Sequence, residues 1–153
     1  MNIVSKIFTS RFLHFLIVLL FANFAHALPD ERFVLSSNNG IYSLSIKLNP
    51  GNKIYWINPG DSGEPTRINL SNSSNLQEYE LWWPFPKKDL FSSKIVNYVY
   101  EGGVEIPLVL SAKNNREPIN LKAEISYVVC GDQCVPVSQV IERQIPAIQK
   151  NPI

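Results

Sequence analysis

The sequence predicts an all-β chain folded as an immunoglobulin-like β-sandwich, and three observations carry that expectation. Apolar and polar residues alternate strictly in several short runs, which is the period of half-buried strands. Turn signals rich in Pro, Gly and Asn recur every 8–12 residues or so, a spacing that suits a sandwich of about eight or nine strands. No stretch carries a helical period, and there is neither an internal repeat nor a low-complexity segment.

Taken in order, residues 1–27 read as a signal peptide. Lys6 and Arg11 supply a basic start, residues 12–24 are apolar apart from His14 and Asn23, and Ala25-His26-Ala27 forms an A-x-A cleavage pattern. The apolar run is shorter than the roughly 20 residues of a membrane span. No stable membrane anchor is therefore expected after cleavage, and residues 28–153 form one exported domain, large enough for a real core. Export puts its cysteines where disulfides persist.

Within that domain, residues 41–48 set Tyr42, Leu44, Ile46 and Leu48 against Ser43, Ser45 and Lys47. Asn49-Pro50-Gly51-Asn52 is a tight reversal. Residues 53–57 form the next strand, and Asn58-Pro59-Gly60-Asp61-Ser62-Gly63-Glu64-Pro65 is a structured loop, too rich in Pro and Gly for an element interior. Residues 66–70 are a short strand and 71–75 a polar turn. Residues 77–83 form a strand with Glu78 and Glu80 on a solvated face, and the adjacent Trp82 and Trp83 point to opposite sides. Lys87-Lys88 reads as solvated loop. A strand over 95–100, the turn Glu101-Gly102-Gly103, a strand over 104–110 and a polar loop over 113–118 follow.

The last two runs matter most. In residues 119–129, Ile119, Leu121, Ala123, Ile125, Tyr127 and Val129 alternate with Asn120, Lys122, Glu124 and Ser126, and in residues 135–145, Val135, Val137, Ile141 and Ile145 share one parity. Between them lies Cys130-Gly131-Asp132-Gln133-Cys134, which holds both cysteines of the chain. A short Gly-containing link between alternating runs marks a hairpin, so the two thiols face each other across its neck, within reach of a disulfide. As a staple the bridge is weak. Closing five residues removes only about 2 kcal/mol of unfolded-state entropy, against about 4.7 for a hundred-residue loop. Close-set pairs are more easily reduced. Spacing alone leaves redox and structural roles evenly matched.

Composition narrows the chemistry. Of 14 lysines and arginines, Lys6 and Arg11 lie in the leader, so 12 basic residues face 13 acidic ones in the exported domain. That balance gives no electrostatic case for nucleic acid. Both histidines, His14 and His26, also lie in the leader, and the sole methionine is Met1. A Cys-His dyad, a Ser-His-Asp triad and a His-based metal site are excluded. Two cysteines cannot complete a tetrahedral zinc site within one chain, and no cofactor or metal is expected. What remains is thiol–disulfide exchange or an inert disulfide in a binding or structural sandwich. No Lys or Arg lies between Lys122 and Arg143, and Asp132 disfavours a nearby thiolate, so the pair is expected to be activated on docking to a partner. The aromatic load of Tyr55, Trp56, Trp82, Trp83, Tyr98 and Tyr100 reads chiefly as packing between sheets, and secondarily as a docking surface beside the cysteines.

Four stretches together carry a resemblance: Lys53-Ile54-Tyr55-Trp56-Ile57-Asn58-Pro59-Gly60-Asp61-Ser62-Gly63, Trp83-Pro84-Phe85-Pro86, Tyr100-Glu101-Gly102, and Tyr127-Val128-Val129-Cys130 with Cys134-Val135-Pro136. From about Phe33 to Ile145 the chain resembles the N-terminal periplasmic domain of DsbD-type thiol:disulfide interchange proteins, including the ScsB-like branch. The resemblance implies an immunoglobulin-like fold in the periplasm and an electron relay. Electrons would come from a DsbD-like membrane donor or a thioredoxin-like protein and pass to oxidised periplasmic thioredoxin-fold proteins. It also implies that Cys134 forms the mixed disulfide, that Cys130 resolves it, and that a cap loop shields the pair. The loop Asn58, Pro59, Gly60, Asp61, Ser62 and Gly63 is the expected shield, with Tyr55, Trp56 and Tyr100 as further cap or docking residues. Two departures stand out. The best-known members place five residues between the cysteines where this chain has three. The chain to Ile153 also carries neither a multi-span membrane domain nor a thioredoxin-like domain, so the relay is expected to use separate proteins.

Overall fold

The computed structural model describes residues 31–147, apart from 39 and 93. The expected signal peptide, residues 1–27, lies outside the described residues. Ten strands are present among those described: β1 (Val34–Asn38), β2 (Ile41–Lys47), β3 (Lys53–Gly60), β4 (Arg67–Asn69), β5 (Leu76–Leu81), β6 (Lys87–Ser92), β7 (Ile95–Glu101), β8 (Gly103–Ala112), β9 (Ile119–Cys130) and β10 (Cys134–Ile145). They form an immunoglobulin-like sandwich. One sheet runs β1-β2-β8-β5, and the other runs β10-β9-β3-β7-β6, with β4 also paired to β9.

The alternation read from the sequence is what builds this arrangement. On β2, Leu44 and Ile46 are buried, and on β8 Ile106 and Leu108. They meet Ile54, Tyr100, Leu121, Ile125, Tyr127 and Val129 from the second sheet in one continuous core. Phe33 closes one side, its ring edge-on to Tyr127 at 5.2 Å, and the Tyr127 hydroxyl donates to the Glu31 carbonyl at 2.7 Å. Burial at Tyr127 pushes its pKa up.

Three local expectations need correction. Lys87 and Lys88 are exposed, but they open strand β6 and are not a loop. Nothing alternates in this stretch. The strand exists because Lys87, Lys88, Asp89 and Leu90 pair in register with Val99, Tyr98, Asn97 and Val96 of β7, and tertiary pairing overrides local pattern. The short edge strand β1 has no signature in the sequence, since it buries only Leu35. Finally, β3 continues through Asn58 and Pro59 to Gly60, with a register shift between Tyr55 and Gly60. Gly60 sits at φ 87°, and a Cβ there would lie 2.3 Å from the Val96 carbonyl oxygen. Glycine is what lets the strand rejoin β7 after the bulge.

Candidate functional site: the cysteine hairpin and its cover

Strands β9 and β10 pair without interruption from Ile119↔Ile145 to Cys130↔Cys134. The cysteines are directly opposed at the end of the ladder and joined as a disulfide, with Cα atoms 4.0 Å apart. The turn is closed by the Gly131 N–H donating to the Gln133 carbonyl at 3.1 Å. A Cβ on Gly131 would fall 2.2 Å from Asn52 Oδ1, so the turn is pressed against the β2–β3 reversal. Asn52 is held there by the Glu31 carboxylate, which accepts from Asn52 Nδ2 at 2.7 Å and from the Asn49 N–H at 2.8 Å. Glu31 is buried, so this clamp is shielded from competing water.

Cys130 falls on the opposite face of the sheet from Val129. Val129 points into the sandwich core, whereas Cys130 belongs to a separate cluster on the outer face with Tyr55 and Val99, against which Val128 packs. The pairing explains why. Lys53 is the register partner of Cys130, Ile54 that of Val129, and Tyr55 that of Val99. Opposed residues share a face and alternate residues return to it. Lys53, Tyr55, Val99, Glu101, Val128 and Cys130 therefore share the outer face.

Outer-face residues are normally wet, yet Cys130 is only 2% exposed. Tyr55 supplies the cover. Its hydroxyl lies 3.9 Å from Cys130 Sγ, and since a disulfide sulfur carries no hydrogen, the hydroxyl is the group able to donate. Tyr55 is covered in turn by the loop after β3. Gly63, at φ 95°, lies flat on the ring, where a Cβ would come within 2.4 Å of it. The Thr66 hydroxyl donates to the Tyr55 carbonyl at 2.6 Å. The loop is pinned to β7: Asp61 and Val96 exchange hydrogen bonds, Asp61 N to Val96 O and Val96 N to Asp61 Oδ2, both at 2.9 Å. Buried Asn97 accepts from the Ser62 N–H at 3.1 Å and the Ser62 hydroxyl at 3.0 Å. Asn58 Oδ1 accepts from the Gly60 N–H at 3.2 Å. The Asn-Pro-Gly-Asp-Ser-Gly run thus encodes a bulged strand end and the loop that follows it, fastened over the residue that covers Cys130.

The two cysteines differ sharply in access. Cys134 is exposed and begins β10, an edge strand of its sheet, with exposed Pro136 two residues on. Proline suits an edge because it has no N–H to offer the ladder.

The other residues singled out from the sequence divide. Tyr55 meets Cys130, and Gly63 reaches the site only by lying on the Tyr55 ring; Trp56 and Tyr100 do not join it. Trp56 packs against the core, edge-on to Tyr98 at 6.2 Å, with its indole N–H buried and unpaired. Tyr100 is buried on the inner face and donates to the Pro84 carbonyl at 2.7 Å, which fastens the Trp83-Pro84-Phe85-Pro86 segment. Its burial pushes its pKa up to about 12. Sequence reading missed Lys53, which pairs with Asp89 at 2.6 Å, together with Glu31, Asn52 and Asn97. For Lys53 a signal was available: it lies two residues before Tyr55, and so on the same face of a strand.

Comparison with known proteins bears on this site. A model of the family described as thiol:disulfide interchange protein DsbD, N-terminal, matches residues 25–146. Among solved structures, the N-terminal periplasmic domain of ScsB from Proteus mirabilis aligns with a TM-score of 0.55 and 24% identity, over 76% of this chain and 47% of that one. The chain therefore spans about half the length of that domain. The reduced N-terminal domain of Neisseria meningitidis DsbD aligns with a TM-score of 0.52 and 14% identity, over 77% of this chain and 90% of that one. No curated protein matches the chain.

Proposed function

The chain belongs to the family of N-terminal domains of the thiol:disulfide interchange protein DsbD, and from that premise we propose that it relays electrons in the periplasm through Cys130 and Cys134. Residues 1–27 direct export and residues 28–153 act after cleavage. A dithiol on a DsbD-like membrane protein or a thioredoxin-like protein reduces the pair. The reduced pair then reduces oxidised periplasmic thioredoxin-fold proteins.

The observation that carries this reading is the asymmetry of the pair: Cys134 exposed on an edge strand, Cys130 2% exposed beneath Tyr55. A partner can reach only one sulfur. In the outward step the Cys134 thiolate attacks a sulfur of the partner's disulfide, and the other partner sulfur leaves as a thiolate. Cys130, as thiolate, then attacks Cys134 Sγ and releases the second partner thiol. The domain ends oxidised and the partner reduced. Tyr55 and the loop carrying Asn58, Pro59, Gly60, Asp61, Ser62 and Gly63 shield Cys130 from solvent oxidants between encounters.

Trapping tests the reading. A Cys130→Ser variant incubated with oxidised periplasmic thioredoxin-fold proteins is expected to accumulate a mixed disulfide on a non-reducing gel, since no second thiol can resolve it. Cys134→Ser is expected to trap far less. Equal trapping by both variants removes the division of roles. No trapping by either, across several such partners, replaces the relay with an inert disulfide.

A further inference from the structure

We propose that the Lys53–Asp89 ion pair sets the reactivity of the cysteine pair by controlling how well the Cys130 thiolate is stabilised. The inference rests on the relay reading for the identity of the departing sulfur. Lys53 is in register with Cys130 and on the same face, so the stem of a lysine starts beside the sulfur. Its amine is drawn in the other direction, across β7 to Asp89 on β6, at 2.6 Å. The two side chains are only 24% and 21% exposed, and charges so placed are screened less than surface ones.

The surrounding charges make this pair decisive. From β6 and β7, Lys87 and Glu101 pair with each other at 2.6 Å and neutralise one another. From β3 come Lys53 and the Tyr55 hydroxyl, from β6 Asp89, from the hairpin turn Asp132, and behind Asn52 the Glu31 carboxylate, which is occupied by two hydrogen bonds. With the Lys87–Glu101 pair set aside, Lys53 is the cation among these groups, offset by Asp89. A nearby cation favours a thiolate and a nearby carboxylate disfavours it. Asp89 thus parks the charge that would otherwise favour Cys130.

The step concerned is reduction of the domain. A donor thiolate attacks Cys134 Sγ and forms a bond to it. The Cys130–Cys134 bond breaks, and its electron pair leaves on Cys130. The donor's second thiolate then attacks the donor sulfur of the mixed disulfide, and Cys134 departs with its electron pair and takes a proton from water. The donor dithiol is oxidised and the domain reduced, with no other reactant. A leaving thiol of lower pKa leaves faster.

Two substitutions break the same ion pair with opposite electrostatic sign. With dithiothreitol as the reductant at fixed pH, Lys53→Met is expected to slow reduction of the disulfide about threefold to tenfold, and Asp89→Asn to speed it by a similar factor. Lys53→Arg keeps the charge and is expected to stay within about twofold of the parent. In a Cys134→Ser background, the thiolate titration of Cys130, followed by ultraviolet absorbance, is expected to move up in pH for Lys53→Met and down for Asp89→Asn. A merely structural pair would shift both variants in the same direction, and that result, or no movement in either rate or titration, overturns the inference. Should Lys53→Met fail to fold, Asp89→Asn and Lys53→Arg still decide it. Because dithiothreitol needs no physiological partner, the outcome is separable from trapping. Opposite shifts without trapping would remove the relay and leave the ion-pair effect. Trapping without opposite shifts would do the reverse.

Discussion

The two faces of the six-stranded sheet are organised on different principles. The inner face joins the second sheet in a single large apolar core, with Ile54, Leu121, Ile125 and Val129 all essentially dry. Among the described residues the outer face has a small buried hydrophobic cluster, Tyr55, Val99 and Cys130, with buried Asn97 beside it and the Lys53–Asp89 and Lys87–Glu101 ion pairs at its border. The first is built from area, the second from a few fastened contacts. Stability should therefore live on the inner face and reactivity on the outer, and substitutions can separate the two.

The largest effect is expected inside. Ile106 is 0% exposed, and Ile106→Ala should cost about 2–5 kcal/mol by removing buried methylenes and leaving a cavity, read as a fall in the denaturant midpoint at unchanged slope. The disulfide should matter less. Cys130→Ser with Cys134→Ser should leave the sandwich folded at room temperature, at a cost of about 2 kcal/mol or less; a double variant unable to fold would make the outer face a structural staple. The smallest effect tests the boundary of the core. Tyr100→Phe removes the hydrogen bond to Pro84 and should cost about 1 kcal/mol at neutral pH. Because the pKa of Tyr100 is raised from 10.0 to about 12 in the fold, its contribution is complete below pH 10 and is lost as pH rises through 12. Alkaline denaturation curves should converge for parent and variant over that window, and parallel curves would mean that this tyrosine does not titrate there.

The same division explains what could be read from sequence. The hairpin of β9 and β10 was legible in full, down to the opposed cysteines, because its register follows from parity and a short link. The solvated face of β5, with Glu78 and Glu80 outward, was legible for the same reason. The segment from Asn58 to Gly63 could be recognised as structured from its Pro and Gly content, though not as the bulged end of β3 that its first three residues form. Its position over Tyr55 could not be, because Tyr55 meets Cys130 only through the β3–β9 pairing, across 75 residues of chain. Parity with Tyr55 puts Lys53 on the face of that tyrosine, but its place beside Cys130 comes from the same β3–β9 pairing: no cation lies between Lys122 and Arg143 in the chain, and the sheet brings one from a different strand. Strand β6 was misread because its residues carry no alternation of their own and are held by their neighbour.

The contact of Gly131 with Asn52 ties the lengths of two distant turns together. A side chain at Gly131 meets Asn52, anchored to Glu31, so the link between the cysteines has little room to thicken over the β2–β3 reversal. A relative with a longer link must therefore either shorten or re-aim the reversal, or send the extra residues away from it. Insertions in one turn and rearrangement of the other should travel together through descent, and a graft of a longer cysteine link into this chain alone should meet a steric stop that a paired graft of both turns does not.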